Sequence, residues 1–450
     1  MAPDHTPAPP LVFTPRPSAP PPPSTVGVMG WLRANLFSSV PNAILTVLGA
    51  YILYVFLEAI ISWALVNAVW EAPNRRACLD AVGRSGACWP GVIAWLPNLI
   101  YGLYPKDQVW RIDLGALLLV LWALPLFLPR VKSKVAIGLT AVLVYPFLVS
   151  YLFLGGEKGW LWMGLVAGSL ATFFWVWLTA ICEMRTGQGF IPLLVRTLAG
   201  PDPIPERARL VRQLAWAALF VTALVIVSRW QLVEVPTRLW GGLFLTMVIS
   251  GIGITFSLPA GVLLALGRRS SMPLIRGFCV AFIELFRSVP LITILFMFNT
   301  MLPLFLPVGV EVDRLLRAIV AVCLFAAAYM AEIVRGGLQA IPKGQYEAAA
   351  AMGLGYWQST TLIILPQALK IMIPAIVGNF IGLFKDTTLV SIIGLFDMLS
   401  MARAVGEDTR WLGLFIEPFF FITMIYFVFC FAMSQYSMNL ERRLGGGQRR

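Results

Sequence analysis

GQYEAAAAMGLGYWQSTTLIILPQALK, residues 344–370, breaks into a chain otherwise written for lipid. It places Glu347, the alanines 348–351, Gly353 and Gly355 between long apolar runs, and closes on Leu365-Pro366. Residues 347–352 are small and helix-favouring, and Gly353 and Gly355 can adopt the left-handed backbone that ends a helix. A second helix then resumes over 356–365 with an apolar face, and Pro366, which lacks an N–H, suits a first helical turn. The spacing predicts a compact helix-turn-helix knob. Its alanines leave the backbone approachable, as a helix needs when it lies in another protein's groove. Glu-Ala-Ala alone would equally fit an ordinary amphipathic surface helix.

The surroundings make the knob informative. Apolar residues are 59% of the 450 and charged residues 12%, with a mean hydropathy of +0.81. Such a chain is a polytopic membrane protein. The net charge of +12 falls in short stretches between apolar runs, which points to membrane topology and away from nucleic acid. Apolar runs long enough to cross hydrocarbon occur at 42–70, 114–129, 135–155, 160–182, 213–232, 239–267, 277–305, 316–337, 370–390 and 412–436. The expected fold is an all-α bundle of about 8–10 transmembrane helices. With the N-terminus inside, the connections 130–134, 183–212, 268–276 and 338–369 and both tails are cytoplasmic. They hold Arg130, Lys132, Lys134, Arg185, Arg196, Arg207, Arg209, Arg212, Arg268, Arg269, Arg276, Arg442, Arg443, Arg449 and Arg450, the bias expected of inside loops. The outer loop, about 71–113, carries Lys and Arg of its own.

Composition also divides the chain. Residues 1–30 open with ten prolines in the first 24 and read as a solvated Pro-rich tail, with a PxxP-binding partner as the sharper alternative. Residues 31–238 form a Trp-, Leu- and Phe-rich membrane extension, residues 239–440 a second part with Gly, Pro, Ser, Thr and charges inside its apolar segments, and 441–450 a basic tail. Trp110, Trp160, Trp230, Trp240 and Trp411 lie at run ends and suit an interfacial belt. Of the six cysteines, Cys182, Cys279, Cys323 and Cys430 lie in or beside apolar runs and behave as small hydrophobes. Cys78 and Cys88 share the outer polar loop, and a bridge between them requires that loop to face an oxidising compartment.

Glu347-Ala348-Ala349, three residues, Gly353, nine residues, Ile363, one residue, Leu365-Pro366 resembles the EAA loop of ABC-importer permeases at each defining position. The similarity continues through GLFLTMVISGIGITFSLPAGVLLALGRRSS, FIELFRSVPLI, AAAYMAEIVRGGLQAIPKGQYEAAAAMGLG and LPQALKIMIPAIVGNFIGLFKDTTLVSIIGL, over about 240–438. RGGLQAIPKGQYEAA and FKDTTLVS select the polar amino-acid branch, and the N-terminal extension with its paired-cysteine loop is similar to the M-type permease subunit of general L-amino-acid importers. Thr387-Thr388 stands where that family has Thr-Ser, with the hydroxyl kept.

The resemblance implies a type I ABC-importer permease core whose loop at 345–366 is the coupling helix that docks on an ATPase subunit, through Glu347, Ala348, Ala349, Gly353, Ile363, Leu365 and Pro366. It implies as partners two copies of that ATPase, a second homologous permease subunit and a periplasmic amino-acid-binding protein, in a bacterial inner membrane with both termini inside. No G-x-x-x-x-G-K-[ST] loop occurs, so ATP and Mg are expected on the partner and no cofactor, metal or catalytic residue on this chain.

Charges inside apolar segments mark pathways or paired structure. Glu284 and Arg287, and Glu332 and Arg335, are i,i+3 neighbours, and Lys385 and Asp386 are adjacent. Two readings are open: self-pairing near the interface, or a cavity in which Glu284, Arg287, Lys385 and Asp386 meet the α-carboxylate and α-ammonium of an amino acid. In the second reading Asn299, Asn379, Thr387, Thr388 and Ser391 supply neutral hydrogen bonds in a roomy, mostly apolar site. An ion-coupled secondary amino-acid transporter is the alternative function, although no inverted repeat relates 31–238 to 239–440. An intramembrane enzyme finds no support: the single histidine is His5, and no nucleophile elbow or metal-ligand spacing occurs.

Overall fold

The computed structural model describes residues 27–156, 159–199, 205–230, 232–307 and 309–445. The expected Pro-rich tail up to residue 26, His5, and Arg449 and Arg450 lie outside the described residues. Nine helical segments are long and apolar enough to span a bilayer, or ten if one sharply bent pair counts as a span, among the described residues. The fold is an all-α polytopic bundle, as a chain with so little polar surface requires, since only helices satisfy every backbone group within a single spanning segment.

Two compact units divide the chain: residues 1–72 with 76–89, and residues 73–75 with 90–450. In the first, α1 (Gly27–Asn35) precedes α2 (Val40–Ile61). The Ser39 hydroxyl caps α2 by accepting from the Asn42 N–H, and Pro41 fits the first turn. A π turn, Ser62–Val66, extends α2 to a 27-residue apolar helix. Most of α3 (Arg75–Val82) also belongs here. Cys78 on α3 is bonded to Cys88, and the Trp89 ring lies 6.4 Å from Trp63 and 5.9 Å from Trp70 while its indole N–H donates to the Ala64 carbonyl.

The second unit begins within α4 (Trp89–Tyr101) and continues through α5 (Trp110–Phe127), α6 (Lys134–Leu143) and α7 (Tyr145–Leu154), which form one span around Val144, then α8 (Trp160–Thr186), α9 (Phe190–Ala199) and α10 (Pro205–Ser228). There follow α11 (Gly242–Arg268), α12 (Pro273–Ser288), α13 (Leu291–Thr300), α14 (Arg314–Ala340), α15 (Lys343–Ala351), α16 (Tyr356–Ser359), α17 (Leu365–Ile371), α18 (Ile373–Asp386), α19 (Met398–Val405) and α20 (Ile416–Gly445).

Three features depart from the sequence reading. The segment 71–113 is not an open loop: it carries α3, α4 and the start of α5. Residues of α4 are built into the part that follows Arg238, where Gly91 packs on Leu414 and Trp411 so tightly that a Cβ would fall 2.3 Å from Leu414, and the Trp95 indole donates to Asp408 at 3.0 Å. Arg111, expected as an outer-loop cation, is 1% exposed and donates to the Val233 carbonyl at 2.8 Å. The run 277–305 is no single span either, because α12 and α13 meet at 105°. Pro290 pushes Val289 out of the helical region, to φ −110° and ψ 133°, and supplies no N–H to carry the helix on.

Residues on both sides of Arg238 share one apolar core. It joins Trp122, Leu152, Val176 and Ala223 to Leu245, Ala318, Ala326, Leu383 and Val390. A second cluster lies beneath the coupling segment and contains Ala265, Ile283, Met330, Val334, Leu338, Ile364, Ala368 and Ile376. Close helix approach builds it: a Cβ on Gly261 of α11 would sit 2.6 Å from the Met330 side chain and 3.0 Å from the Ala331 nitrogen on α14. Small residues allow this approach where lipid offers no hydrophobic force to bring helices together.

Candidate functional site: the coupling segment and its ionic collar

α15 ends in a left-handed cap. Gly353 has φ +73°, its N–H donates to the Ala350 carbonyl, and the Leu354 N–H reaches back to the Ala349 carbonyl at 3.2 Å, the paired bonds of a Schellman ending. A Cβ on Gly353 would meet nothing within 4 Å, so the backbone angle alone calls for glycine there. Gly355 behaves differently from the sequence reading. It is extended, at φ −66° and ψ 165°, and starts α16, its N–H donating to the Gln358 side-chain oxygen.

The second helix of the knob runs through α16, a π turn at Thr360–Ile364, and α17 without a break. The π turn lies immediately ahead of Pro366, where the absent proline N–H leaves a carbonyl of the preceding turn without its usual donor. Two side chains lock the halves together: Gln367 donates to the Gln345 side-chain oxygen at 3.1 Å and to the Ile363 carbonyl at 2.9 Å.

Inner and outer faces of the knob are distinct. Ala349, Thr360, Ile364 and Ala368 are buried, and Ile363 and Leu365 are half-buried. Glu347, Ala348, Gly353 and Pro366 are exposed. Beside them stand Met352, Tyr356, Trp357 and Leu362, at 69%, 59%, 64% and 70% exposure, with the Tyr356 and Trp357 rings edge to face at 5.3 Å. Sequence reasoning passed over this apolar cap. Its signal was available as an aromatic pair directly after a helix-ending glycine, where the chain must turn outward.

The knob is joined to the spans by backbone and charge. A Cβ on Gly337 of α14 would lie 2.7 Å from the Ala368 carbonyl oxygen, so α14 and α17 touch main chain to side-chain-free main chain. Tyr346 of α15 donates to the Leu338 carbonyl and accepts from Arg269 of α11, both at 3.2 Å, and the Arg269 guanidinium stands 5.7 Å from the centre of its ring. Next to Arg269, Arg268 bridges Glu284 of α12 and Glu332 of α14 at 2.9 Å each. Glu332 also holds Arg335 at 2.8 Å and Arg287 at 3.4 Å.

This collar resolves two of the pairs expected from residue spacing. Glu332 and Arg335 pair as their spacing implied, whereas Glu284 pairs with Arg268 on a neighbouring helix and Arg287 with Glu332. The i,i+3 rule sees only one helix, and here three helices converge. Of the other candidates, Thr387, Thr388 and Ser391 each donate to a carbonyl three residues back, at 2.8, 2.9 and 2.8 Å, so their hydroxyl hydrogens are already engaged. Asn299 and Asn379 each keep a buried amide atom without a hydrogen-bond partner, and the Asn299 main-chain carbonyl accepts from Arg317. Lys385 is exposed and Asp386 half-buried at the end of α18. The knob thus adjoins the collar through Tyr346 and Arg269, while the pathway candidates, of which Glu284 and Arg287 belong to the collar, are distributed over α12, α13, α18 and the turn that follows it.

Comparison with known proteins agrees with this architecture. Residues 257–446 match the family described as "Binding-protein-dependent transport system inner membrane component". The inner membrane amino-acid ABC transporter permease protein YhdY of Escherichia coli K12 is 40% identical over 93% of this chain and 94% of its own length. The glutamate/glutamine/aspartate/asparagine transport system permease protein BztC of Rhodobacter capsulatus is 40% identical over 96% of both. The glutamate/aspartate import permease protein GltK of E. coli O6:H1 is 38% identical but aligns with only 45% of this chain, against 91% of its own. A crystal structure of an amino acid ABC transporter with histidines covers 44% of this chain and 90% of that one, at 31% identity and a TM-score of 0.40.

A helical membrane bundle with these relatives is the membrane component of a binding-protein-dependent ABC transport system. The chain belongs to the amino-acid ABC transporter permeases, a family of multi-pass membrane subunits. It is a transporter subunit; in this family ATPase activity belongs to a separate subunit, and the family works with an ATPase and a binding protein.

Proposed function

We propose that this chain, together with a second homologous permease subunit, lines the path by which L-amino acids released from a periplasmic binding protein cross the membrane, and that the knob at 345–366 receives the stroke of an ATPase pair. ATP and Mg are bound by that partner pair. The breadth carried by the name of BztC, which covers acidic amino acids and their amides, supports a site that reads the common α-carboxylate and α-ammonium groups. Both termini and the knob face the cytoplasm in this reading, as the distribution of Arg and Lys favours, and the Cys78–Cys88 bond suits the oxidising side.

The observation that carries the proposal is the two-sided build of the knob. Met352, Tyr356 and Trp357 present an apolar cap of the kind that anchors protein interfaces. Ile364 and Ala368 join the opposite side to the apolar cluster that α14 lines. When the ATPase pair closes on ATP, the knob moves, the ionic collar follows, and the attached spans rock so that the central cavity opens outward, an alternating-access cycle. A carrier driven by an ion gradient would have no need of such a surface.

The test is uptake by the complete transporter carrying Gly353→Asp or Glu347→Lys. Gly353 has open space around it, and Asp tolerates a left-handed backbone better than most residues, so the variant should insert normally. The expected result is normal membrane abundance with uptake reduced to background and with loss of amino-acid-stimulated ATP hydrolysis. Wild-type uptake in both variants would refute the coupling role. Dependence on an ion gradient in vesicles lacking ATP would refute the ABC mechanism.

A further inference from the structure

Away from the coupling segment, α9 and the start of α10 enclose an open groove of about 350 Å³. Ile191, Pro192 and Val195 of α9 form its apolar wall, and Ala208, Arg209 and Arg212 of α10 face them. We propose that this groove is a binding site for the headgroup of an anionic phospholipid, its phosphate held by Arg209 and Arg212 and its glycerol end resting on the α9 wall.

Depth, charge and shape agree on this occupant. The charge-free stretch of α8 ends at residue 182 and that of α10 begins at residue 213. The groove therefore lies at the level where hydrocarbon gives way to headgroups. Trp216, one turn inward from Arg212, pairs with Trp175 of α8 at 5.6 Å and ties α10 to α8 inward of the groove. Leu210 and Leu214 on α10 and Leu198 on α9 are 56%, 60% and 68% exposed, so apolar side chains flank the basic pair as acyl chains flank a phosphate.

Among the described residues, no carboxylate forms an ion pair with Arg209 or Arg212. The ion pairs among Arg268, Glu284, Arg287, Glu332 and Arg335 lie in the collar and do not involve Arg209 or Arg212. Glu183, at the end of α8, is occupied by the Ser133 hydroxyl and by the N–H groups of Lys132 and Ser133, at 2.7 and 3.2 Å for the latter two. Glu206 stands exposed in the first turn of α10 and makes no ion pair among the described residues. Planar guanidinium groups match phosphate geometry, and basic pockets at helix ends are a recurrent form of anionic lipid recognition.

The experiment is lipid binding by native mass spectrometry of the detergent-purified complete transporter, titrated with phosphatidylglycerol, phosphatidylcholine or inorganic phosphate. Phosphatidylglycerol adducts should form in preference to phosphatidylcholine. R209Q/R212Q should raise the phosphatidylglycerol dissociation constant roughly tenfold or more, with R209K/R212K intermediate and R185Q/R207Q, which removes two cations outside the groove, unchanged. Equal retention of phosphatidylglycerol by R209Q/R212Q and wild type would overturn the proposal. So would equal binding of phosphatidylcholine, or displacement of phosphatidylglycerol by millimolar inorganic phosphate, which would make the groove a free-anion site. The unfolding midpoint of each assembly separates a lost site from a lost fold.

Discussion

Helices α5–α10 and helices α11–α20 occupy one compact unit and both carry ring pairs, but the second group adds close backbone approach at glycines and a cluster of ion pairs. In the first group large rings interlock: Trp122 lies 6.0 Å from Tyr145 and 5.5 Å from Phe173 and is fully buried, and Phe153 reaches across to Trp240 and Phe244. In the second, glycines bring backbones together, as at Gly261 and Gly337, and the ionic collar of Arg268, Glu284, Arg287, Glu332 and Arg335 lies there. Interdigitated rings resist sliding, because any shift drives a bulky side chain into its neighbour. Smooth faces joined by a few charged contacts can settle into more than one arrangement. On the proposed cycle, the difference separates a part that holds from a part that moves.

Breaking the smooth part should have the largest effect on transport per molecule. Gly337→Val adds atoms where a Cβ already meets a carbonyl oxygen at 2.7 Å, an overpacking worth about 1–3 kcal/mol at the joint between α14 and the knob. Uptake should fall to background, whereas Gly164→Ala in α8, where nothing lies within 4 Å, should retain uptake. Normal transport by Gly337→Val would show that this joint does not carry the stroke.

Loosening the collar should matter next. Glu332→Gln leaves Arg268, Arg287 and Arg335 with Glu284 as their remaining carboxylate. A charged hydrogen bond is worth about 1.5–3 kcal/mol. With the partners about a quarter to a third exposed, solvent screening reduces the expected effect to about 1 kcal/mol, roughly fivefold in a two-state equilibrium. The measurement is the ratio of basal to amino-acid-stimulated ATP hydrolysis in the reconstituted assembly, which should change about fivefold on this account.

Breaking the interlocked part should leave transport per molecule nearly untouched. Trp122→Ala removes a fully buried ring and should cost about 3–5 kcal/mol of stability. The amount of assembled transporter, read by quantitative immunoblotting, should drop, while uptake normalised to that amount stays within about twofold of wild type; a larger change would mean that the extension moves with the core. The smallest effect belongs to Cys78→Ser with Cys88→Ser. Loss of the bond should lower local stability by about 2–3 kcal/mol, visible as faster proteolysis around α3, without altering uptake. Maleimide labelling of both cysteines in untreated wild-type protein would contradict the bonded pair.

The parts of the site legible in the sequence are those whose cause is local. Gly353 announces its own backbone angle, the alanines their helix, and Pro366 the first turn of α17. Glu332 and Arg335 pair because one helix turn brings them together. What escaped is decided between segments. Arg268 draws Glu284 away from the partner its spacing promised, Arg111 disappears into a core that its sequence neighbourhood gave no reason to expect, and Gly355 is held extended by the helix it starts. The apolar cap of Met352, Tyr356 and Trp357 is apolar in any reading; its exposure depends on which face of the knob α14 covers.

By itself the sequence determined that this chain lives in a bilayer, that it is helical, and that one short segment forms a helix-turn-helix knob. Hydropathy, backbone preference and capping act within a few residues and need no knowledge of the fold. Only the tertiary structure decided that α12 and α13 meet at 105°, that the extension and the core share one apolar interior, and that five charges from three helices form a collar above the knob. Burial and ion pairing depend on which distant segments become neighbours, and the closeness of those neighbours is set by glycines whose role a linear reading cannot distinguish from chain flexibility.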